Sequence, residues 1–333
     1  MKFAVLGNGS WGTALAQLLI DNGQEVVMWG IDAKTNSEIN LKHTNTQYFS
    51  PETVLPRSLR STLDLTDALS RASVIVLAVP TQAIRSVCRQ LAVHLSEKVY
   101  IVSVAKGFDP GTDMRMSEVI RQEIPVDKRH EVVSLIGPSH AEEVILRMLT
   151  LVTATSINLK DAEFIQKIFS NNYFRVYTND DEIGAEYSVA TKNVIAIASG
   201  VLEGLGYGDN ARAALVTRGL SEMVRFGVAK GGKFKTYMGL TGLGDLMVTC
   251  NSRLSRHFMA GYAIGKDDQS ALFLNSNNRT VEGIRSAKTL HELSRDCNVE
   301  MPICEAVYQV LYANAKPSEI ISSLMLRSLK KEL

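Results

Sequence analysis

Residues 3–22 read FAVLGNGSWGTALAQLLIDN, and this stretch decides the fold. The short apolar run Phe3–Leu6 is typical of a buried strand, and Thr13–Asn22 has the apolar spacing of a helix. The glycine-rich segment GNGSWG (residues 7–12) lies between them and fits the pattern G-x-G-x-x-G. That pattern alone is weak evidence, but its position between a strand and a helix indicates a dinucleotide-binding loop.

Each position of this loop has a physical task. Gly7 permits the tight turn, Gly9 lets the backbone approach a pyrophosphate, and Gly12 lets the helix pack closely on the strand. Backbone amides at the start of the helix then face the anion. Ser10 and Trp11 lie inside the same loop, so we expect them to contact the cofactor.

Short apolar runs alternate with helical patterns through the first half of the chain. Beyond the first, the predicted strands are Val26–Trp29, Val74–Val79, Val99–Val104, Val132–Ile136, Leu151–Ala154 and Phe174–Tyr177. Helical stretches such as Gln82–Leu95 separate several of them. Repeated β-α-β units place helices on both faces of a parallel sheet. The sequence therefore predicts a Rossmann-type, doubly wound and mainly parallel α/β domain over residues 1–180.

The pattern changes after residue 180. Long helical patterns follow, at Glu182–Leu205, Ala211–Ala229, Val281–Leu293 and Ile303–Asn314. The segment GLTGLG (residues 239–244) is predicted to be a loop, and the polar stretch Lys266–Asn278 a surface connection. Because 333 residues exceed the roughly 250–300 that one core usually supports, a second, all-helical domain is predicted over residues 181–333.

Composition excludes several classes of protein. The formal net charge is +1, from 36 basic and 35 acidic side chains, so no broad basic field is available for nucleic acid. The purest apolar run, Val74–Val79, is far shorter than the roughly 20 residues that span a bilayer. The N-terminus lacks the apolar region of a signal peptide. Four scattered cysteines fit a reducing compartment and suggest no metal site. We expect a soluble cytoplasmic protein that needs no metal and does not insert into membranes.

Lys192 has an unusual setting. It is the only charged residue between Glu186 and Glu203. Placing a lysine in an apolar helix is costly unless the side chain reaches solvent, pairs with an anion or has a chemical role. Desolvation would lower its pKa and a nearby carboxylate would raise it. Such a lysine can give a proton to a ketone oxygen as hydride arrives at carbon, although composition alone leaves a structural lysine open.

Several segments, taken together and in this order, resemble one enzyme family, the bacterial-type NAD(P)-dependent glycerol-3-phosphate dehydrogenases. They run through nearly the whole chain. The segments are GNGSWGTALA (7–16), VAKG (104–107), GPSHAEE (137–143), KNVIAIASG (192–200), NARAALVTRGL (210–220), GLTGLGDL (239–246), VEG (281–283) and EMPICEAVYQVLY (300–312).

The resemblance implies a reaction and its central residues. Dihydroxyacetone phosphate and NAD(P)H would give sn-glycerol 3-phosphate and NAD(P)⁺, which feeds glycerophospholipid synthesis. Lys192 would be the proton donor or acceptor, Lys106 would contact both cofactor and substrate, and Asp245 would lie beside Lys192. Two ammonium groups near a ketone would stabilise a developing alkoxide, and Asp245 would balance their repulsion.

The resemblance also assigns the remaining ligands. The substrate-binding residues would be Lys106, Gly137, Ser139, Lys192, Asn193, Asp245, Thr249, Ser255, Arg256 and His257. The cofactor-binding residues outside the glycine loop would be Lys106, Ala141, Arg256 and Glu282. Arg256 offers a planar fork of donors that suits phosphate oxygens. His257 departs from the family's asparagine, which leaves its contact with phosphate open.

The choice between NADH and NADPH stays open at this point. Asp32 follows the second predicted strand, about where an acidic residue of an NAD site accepts from the ribose hydroxyls. Lys34 is the only cation nearby. Ile31 departs from the family's frequent histidine or arginine. These residues do not decide between the two cofactors.

Two other functions remain as alternatives. A related β-hydroxyacid dehydrogenase, of the 6-phosphogluconate type, also joins a Rossmann domain to helices and uses a helical lysine. A non-catalytic dinucleotide-binding sensor would keep the glycine loop alone. The segment GLTGLGDL and the pair Ser255-Arg256 favour a phosphoketone reductase. A homodimer is expected by resemblance and because symmetric dimers are the commonest oligomers.

Overall fold

A mixed sheet forms the first half of the protein in the computed structural model, which describes residues 1–277, 280–329 and 331–332. Within these residues its strands are β1 (Lys2–Leu6), β2 (Glu25–Trp29), β3 (Arg60–Thr62), β4 (Val74–Leu77), β5 (Tyr100–Ser103), β6 (Val133–Ile136), β7 (Thr150–Thr155) and β8 (Phe174–Asn179).

The strand order is β3-β2-β1-β4-β5-β6-β7-β8. The first six strands of this order are parallel, β7 is antiparallel to β6, and β8 is parallel to β7. The order 3-2-1-4-5-6 is that of doubly wound dinucleotide-binding domains. The predicted fold class is confirmed.

Helices cover both faces of this sheet. They are α1 (Ser10–Asp21), α2 (Ala33–Lys42), α3 (Leu65–Leu69), α4 (Thr81–His94), α5 (Met116–Glu123), α6 (Ala141–Val144) and α7 (Leu159–Phe169). Alternate residues of β1 enter two different cores, because Phe3 and Val5 pack with α1 whereas Ala4 and Leu6 pack with α4. Burial on both faces explains why the strands are continuous apolar runs.

From residue 182 onward the described chain is helical. The elements are α8 (Glu182–Gly204), α9 (Asp209–Ala229), α10 (Phe234–Tyr237), a π-helical turn (Leu240–Gly244), α11 (Asp245–Asn251), α12 (Arg256–Asp267), α13 (Ala271–Ser276), α14 (Glu282–Asp296), α15 (Pro302–Tyr312) and α16 (Pro317–Met325). None of these helices or the preceding ones in the described ranges is long and apolar enough to cross a membrane.

Helix α8 is the centre of the helical part and packs against α9, α11, α12 and α14. Its contact with α12 is very close. A Cβ atom at Gly200 would lie 1.9 Å from the backbone oxygen of Phe258, and one at Gly261 would lie 1.9 Å from that of Ile197. A helix enclosed in this way has little room for charged side chains, which explains its apolar composition.

Three local predictions were wrong or incomplete. Strand β3 was missed because Arg-Ser-Thr has no apolar pattern and only Ser61 is buried. The segment 239–244 is not a loop, since residues 240–244 form the π-helical turn. The polar stretch Lys266–Asn278 contains α13 in addition to surface connections, and Asn278 lies outside the described residues.

Candidate active site

The sequence-predicted segments meet at one edge of the sheet. GNGSWG follows β1, Lys106 follows β5, and residues 137–141 follow β6. These strands are parallel members of one sheet, so their carboxyl ends lie at the same edge. Strand β4 separates β1 from β5, which puts the loop after β1 about 10 Å from the segment after β5. Ligands of open α/β sheets bind at this edge.

The glycine loop has the geometry that a pyrophosphate requires. Gly7 has φ of 117°, and a Cβ atom there would lie 2.6 Å from the backbone oxygen of Ala78. A Cβ at Gly12 would lie 2.0 Å from the oxygen of Gly7. Helix α1 begins at Ser10, and the Gly9 N-cap supplies no side chain to its first amides. Free amide donors at a helix start suit an anionic ligand.

A network of asparagines holds this loop in place, and sequence reasoning missed it. The side-chain amide of Asn8 donates to Asn36 Oδ1 over 3.1 Å, and the side-chain amide of Asn45 donates to the backbone oxygen of Asn8 over 3.0 Å. Asn36 also donates to the Gly30 oxygen over 2.8 Å. Asn36 lies in α2 and Asn45 in the loop after it, where no periodic pattern or motif distinguishes them.

Asp32 has a structural task at the end of β2. It is the N-cap of α2, and its carboxylate accepts from the amides of Lys34, at 3.3 Å, and Thr35, at 3.0 Å. The Thr35 hydroxyl donates to the same carboxylate. The neighbouring Ile31 side chain is 85% exposed. These three hydrogen bonds leave about one acceptor position of the Asp32 carboxylate for a ribose hydroxyl.

The most unusual arrangement lies around Lys192, on the buried side of α8. Its Nζ atom is 2.9 Å from Asp245 Oδ1 and 2.6 Å from Thr249 Oγ1. Lys106 Nζ lies 3.3 Å from the other carboxylate oxygen, Asp245 Oδ2. Lys192 and Asp245 are 3% and 1% exposed, respectively. One buried carboxylate therefore joins two ammonium groups, one from each half of the chain.

Burial and charge set the protonation of this centre. Burial lowers the pKa of Lys192 to about 8, while Asp245 opposes the shift and Lys106 adds to it. Burial raises the pKa of Asp245, but the ammonium groups of Lys106 and Lys192 outweigh it and hold that pKa below its usual range. A lysine with a pKa near neutrality can both donate and accept a proton.

The local backbone explains how Asp245 and Thr249 share this site. Both lie in α11, one helical turn apart, so their side chains lie on one face. The Thr249 hydroxyl donates to the Asp245 backbone oxygen over 2.6 Å, which leaves its lone pairs for Lys192. The preceding π-helical turn is anchored to α8, because Ser188 Oγ donates to the Thr241 oxygen over 2.6 Å.

Unpartnered polar atoms lie next to this centre. Asn193 is fully buried, and among the described residues neither atom of its side-chain amide has a partner. Buried amides are normally hydrogen-bonded, so the Asn193 side chain is a candidate for a ligand contact. Ser139 Oγ donates to the Gly137 oxygen over 3.0 Å, and Ala141 begins α6 just beyond.

A second group of predicted residues gathers at the start of α12. Ser255 is its N-cap, with Oγ 3.2 Å from the Phe258 amide. The half-exposed Arg256 guanidinium lies 3.6 Å from Glu282 Oε1, and His257 Nε2 lies 3.5 Å from Glu282 Oε2. Burial lowers the pKa of His257 more than Glu282 raises it, and Lys192 lowers it further. His257 is therefore neutral at physiological pH, and Arg256 is the cation.

His140 is close to the centre but is poorly suited to acid catalysis. Burial and the charges of Lys106 and Lys192 lower its pKa to about 4. An imidazole with this pKa carries no extra proton at neutral pH. Lys192 is the better proton donor.

A surface cleft of about 260 Å³ adjoins Glu282. Thr81, at the start of α4, and Phe108, after β5, form its wall on the sheet side. Ser286 and Tyr312 line it from the helical part. The cleft lies where residues that follow β4 and β5 meet the start of α14.

Two family models account for most of the chain. The N-terminal model of NAD-dependent glycerol-3-phosphate dehydrogenase matches residues 2–162, and the C-terminal model matches residues 181–322. The chain belongs to this family. Membership confirms the predicted family and the predicted class of enzyme, an NAD(P)-dependent oxidoreductase that acts on a CH–OH group.

Relatives of this glycerol-3-phosphate dehydrogenase family are similar over the full length. A protein of Enterococcus faecalis named glycerol-3-phosphate dehydrogenase (NAD(P)+) is 49% identical over 331 residues, covering 99% of this chain and 97% of that protein. The crystal structure of glycerol-3-phosphate dehydrogenase from Coxiella burnetii has a TM-score of 0.91 and 34% identity, covering 98% and 99% of the two chains. The Saccharomyces cerevisiae enzyme has a TM-score of 0.82 at 27% identity, covering 97% and 98%.

Proposed function

We propose that this protein catalyses reversible hydride transfer between NAD(P)H and dihydroxyacetone phosphate, giving sn-glycerol 3-phosphate and NAD(P)⁺. The observation that carries the proposal is the buried Lys192 ammonium, held by Asp245 and Thr249, with Lys106 on the other side of the same carboxylate. A sensor that only bound a dinucleotide would have no need of this costly buried arrangement.

Lys192 is the proton donor for reduction. It donates two hydrogen bonds inside the protein, and an ammonium group has three donors, so one remains for the ketone oxygen. As hydride reaches the carbonyl carbon, the oxygen becomes an alkoxide and takes that proton. Lys106 supplies a second positive charge that stabilises the developing anion. In the oxidation direction neutral Lys192 removes the hydroxyl proton.

The glycine loop fits the cofactor. When bound, the nicotinamide dinucleotide supplies or accepts the hydride. Gly7 and Gly12 keep the loop compact, and Gly9 lets the backbone approach the pyrophosphate, which the uncapped amides at Ser10 and Trp11 would meet. The cleft beside Glu282 is lined by residues of both the sheet part and the helical part. Ala141, Glu282, Arg256 and Lys106 complete the proposed cofactor contacts.

The start of α12 binds the substrate phosphate. Arg256 offers the cation, and the first turn of α12 offers a positive dipole end. Ser255 and His257 flank it as hydrogen-bonding groups. Asn193, whose amide lacks a partner among the described residues, binds the substrate between Lys192 and the phosphate. Gly137 and Ser139 close the site from the sheet side.

Family membership also suggests a domain division, a cellular location and an oligomeric state. We infer a dinucleotide-binding domain over residues 1–180 and a helical, catalytic domain over residues 181–333. We also infer a cytoplasmic homodimer that feeds glycerophospholipid synthesis. The domain division agrees with the two family models, which match residues 2–162 and 181–322.

An absorbance assay tests the proposed reaction. Purified protein is mixed with dihydroxyacetone phosphate and either NADH or NADPH, and loss of the reduced nicotinamide is followed. Unphosphorylated dihydroxyacetone is the control. Fast oxidation with the phosphate ester alone supports the proposal, and the two rates give the cofactor preference. A folded protein that binds the cofactors but oxidises neither would contradict it, and 6-phosphogluconate with NAD⁺ or NADP⁺ would then test the hydroxyacid alternative.

A further inference from the structure

The segment of residues 106–115 connects the sheet to the helical part of the protein. It runs from the end of β5 to the start of α5 and carries a cation at each end. Lys106 contacts Asp245 of α11, and Arg115 contacts Glu186 of α8 over 2.9 Å. In its middle, Asp113 accepts from Thr289 of α14 over 2.6 Å. The segment is therefore held by the helical part at three points.

The Arg115 end is a buried polar cluster. Glu186 Oε1 accepts from the Ser117 amide over 2.9 Å, and Oε2 accepts from the Ser117 hydroxyl over 2.6 Å and from Arg115 Nη1. Arg115, Ser117 and Glu186 are 8%, 0% and 5% exposed. Removing one member of a buried ion pair leaves the charge of the other without a partner, which is strongly destabilising. Loss of one group should therefore disrupt the whole cluster.

A second carboxylate completes the cluster. Glu182 accepts from both terminal nitrogens of Arg121, at 2.8 and 2.5 Å, and from Arg115 over 3.2 Å. Glu118 accepts from Arg115 over 2.8 Å. Arg121 can still hold α5 near α8 without Glu186. Among the residues that the structure describes, however, only Glu186 binds both Arg115 and the backbone of Ser117, just beyond the segment.

Helix α8 has many contacts besides this cluster. Helix α8 is enclosed by α9, α11, α12 and α14. A change at Glu186 would therefore move the less enclosed partner, the segment that begins at Lys106. Shifts of about 1 Å at a reacting centre can cost about a hundredfold in rate.

We propose that Glu186 is a positioning residue for the reaction, because through Arg115 and Ser117 it holds segment 106–115 against α8 and so keeps Lys106 beside Asp245. This inference rests on the proposed function and on the role of Lys106 within it. It assigns a task to a buried carboxylate that contacts neither the Lys192 centre nor the glycine loop.

The test uses Glu186→Gln, which keeps the size of the side chain but turns an acceptor for Arg115 into a donor. Burial and the charge of Glu182 raise the pKa of Glu186 to about 7, so oxidation of sn-glycerol 3-phosphate is measured at pH 9, where the carboxylate form predominates. We expect kcat/KM to fall about tenfold or more. The matched control is Glu222→Gln, an equally buried glutamate that accepts from the amides of Ile303 and Cys304 at the start of α15. It should stay within about twofold of wild type.

A double variant separates positioning from general destabilisation. If Glu186 acts through Lys106, Glu186→Gln should have little further effect on kcat/KM in a Lys106→Met background. The proposal is overturned if the loss of kcat/KM in the double variant equals the product of the losses in Glu186→Gln and Lys106→Met. It is also overturned if Glu186→Gln and Glu222→Gln lower activity equally. If Glu186→Gln fails to fold, Arg115→Lys replaces it in the same comparison with Lys106→Met. This variant keeps the positive charge but loses the several donors of the guanidinium group. Inactive wild-type protein would instead defeat the proposed function.

Discussion

Lys192 Nζ and Asp245 Oδ1 lie 2.9 Å apart, although 53 residues separate them in the chain. This ion pair explains how an apolar helix tolerates a buried lysine. An unpaired ammonium would be neutralised or excluded, whereas a partner with further hydrogen bonds offsets part of the desolvation cost. The same pair holds the lysine at a pKa where it can exchange protons.

The pH dependence of turnover should follow Lys192. Its pKa is about 8, and reduction requires the protonated form. The kcat for reduction should therefore be constant at lower pH and fall as pH rises through about 8. The kcat for oxidation, which requires the neutral form, should rise over the same range. Profiles of kcat in both directions check this, and profiles flat from pH 6 to 10 would exclude Lys192 as the titrating group.

The Asp245→Asn variant should move that profile. The Asp245 charge raises the pKa of Lys192, so its loss leaves burial and Lys106 to lower it further. We expect the descending limb for reduction to shift below pH 8. Asp181→Asn is the control, because Asp181 is a buried aspartate that caps α8 through the Gly184 amide. The Asp181→Asn variant should leave the descending limb at the wild-type pH.

Lys192→Ala should separate binding from chemistry. The glycine loop is untouched, so the dissociation constant for NADH, measured by fluorescence titration, should be unchanged. Turnover should fall by about 10²- to 10⁴-fold, the usual contribution of a positioned acid or base. Circular dichroism checks that the variant is folded. Near-normal turnover would remove Lys192 from the mechanism.

Much of this site was predictable because its signals are local. A glycine loop between strand and helix specifies its own geometry, and one lysine in a long uncharged helix marks a buried ammonium. The family resemblance added Asp245 and Thr249. Their spacing of one helical turn would not by itself have identified either residue as part of the site. The sequence also predicted most of the strands and the main helices, because these elements depend on the periodic spacing of apolar residues.

Other features depend on contacts between distant residues. The link between Arg115 and Glu186 spans 71 positions, and nothing near either residue indicates the other. The asparagines around Asn8 are ordinary polar residues until α2 folds against the loop. Asp32 is a further example, since its position suggested a ribose ligand and only the structure shows that its carboxylate also caps a helix.

Arg256→Ala should weaken substrate binding more than chemistry. A hydrogen bond to a charged group contributes about 1.5–3 kcal/mol, and the half-exposed setting of Arg256 favours the lower value. We expect the KM for dihydroxyacetone phosphate to rise about tenfold, with a smaller change in kcat. Arg253→Ala is the control, because Arg253 is an exposed arginine nearby that pairs with Glu203. Equal effects of the two variants would contradict the phosphate assignment.

Gly242→Ala should damage the turn that leads into Asp245. A Cβ atom at Gly242 would lie 2.1 Å from the backbone oxygen of Tyr237. Because this clash is with the backbone, rotation of a side chain cannot relieve it. The free energy of unfolding should fall by about 1–3 kcal/mol, measured by urea denaturation. Because the π-helical turn ends where α11 begins, kcat should fall as well.

Gly208→Ala provides the comparison for that variant. A Cβ atom there meets nothing within 4 Å, and Gly208 lies outside the Lys192 centre. Its free energy of unfolding should stay within about 0.5 kcal/mol of wild type, with unchanged kcat. If Gly242→Ala were equally harmless, the turn would have room to relax, and the position of Asp245 would have to depend on its ion pairs with Lys192 and Lys106 rather than on the backbone before it.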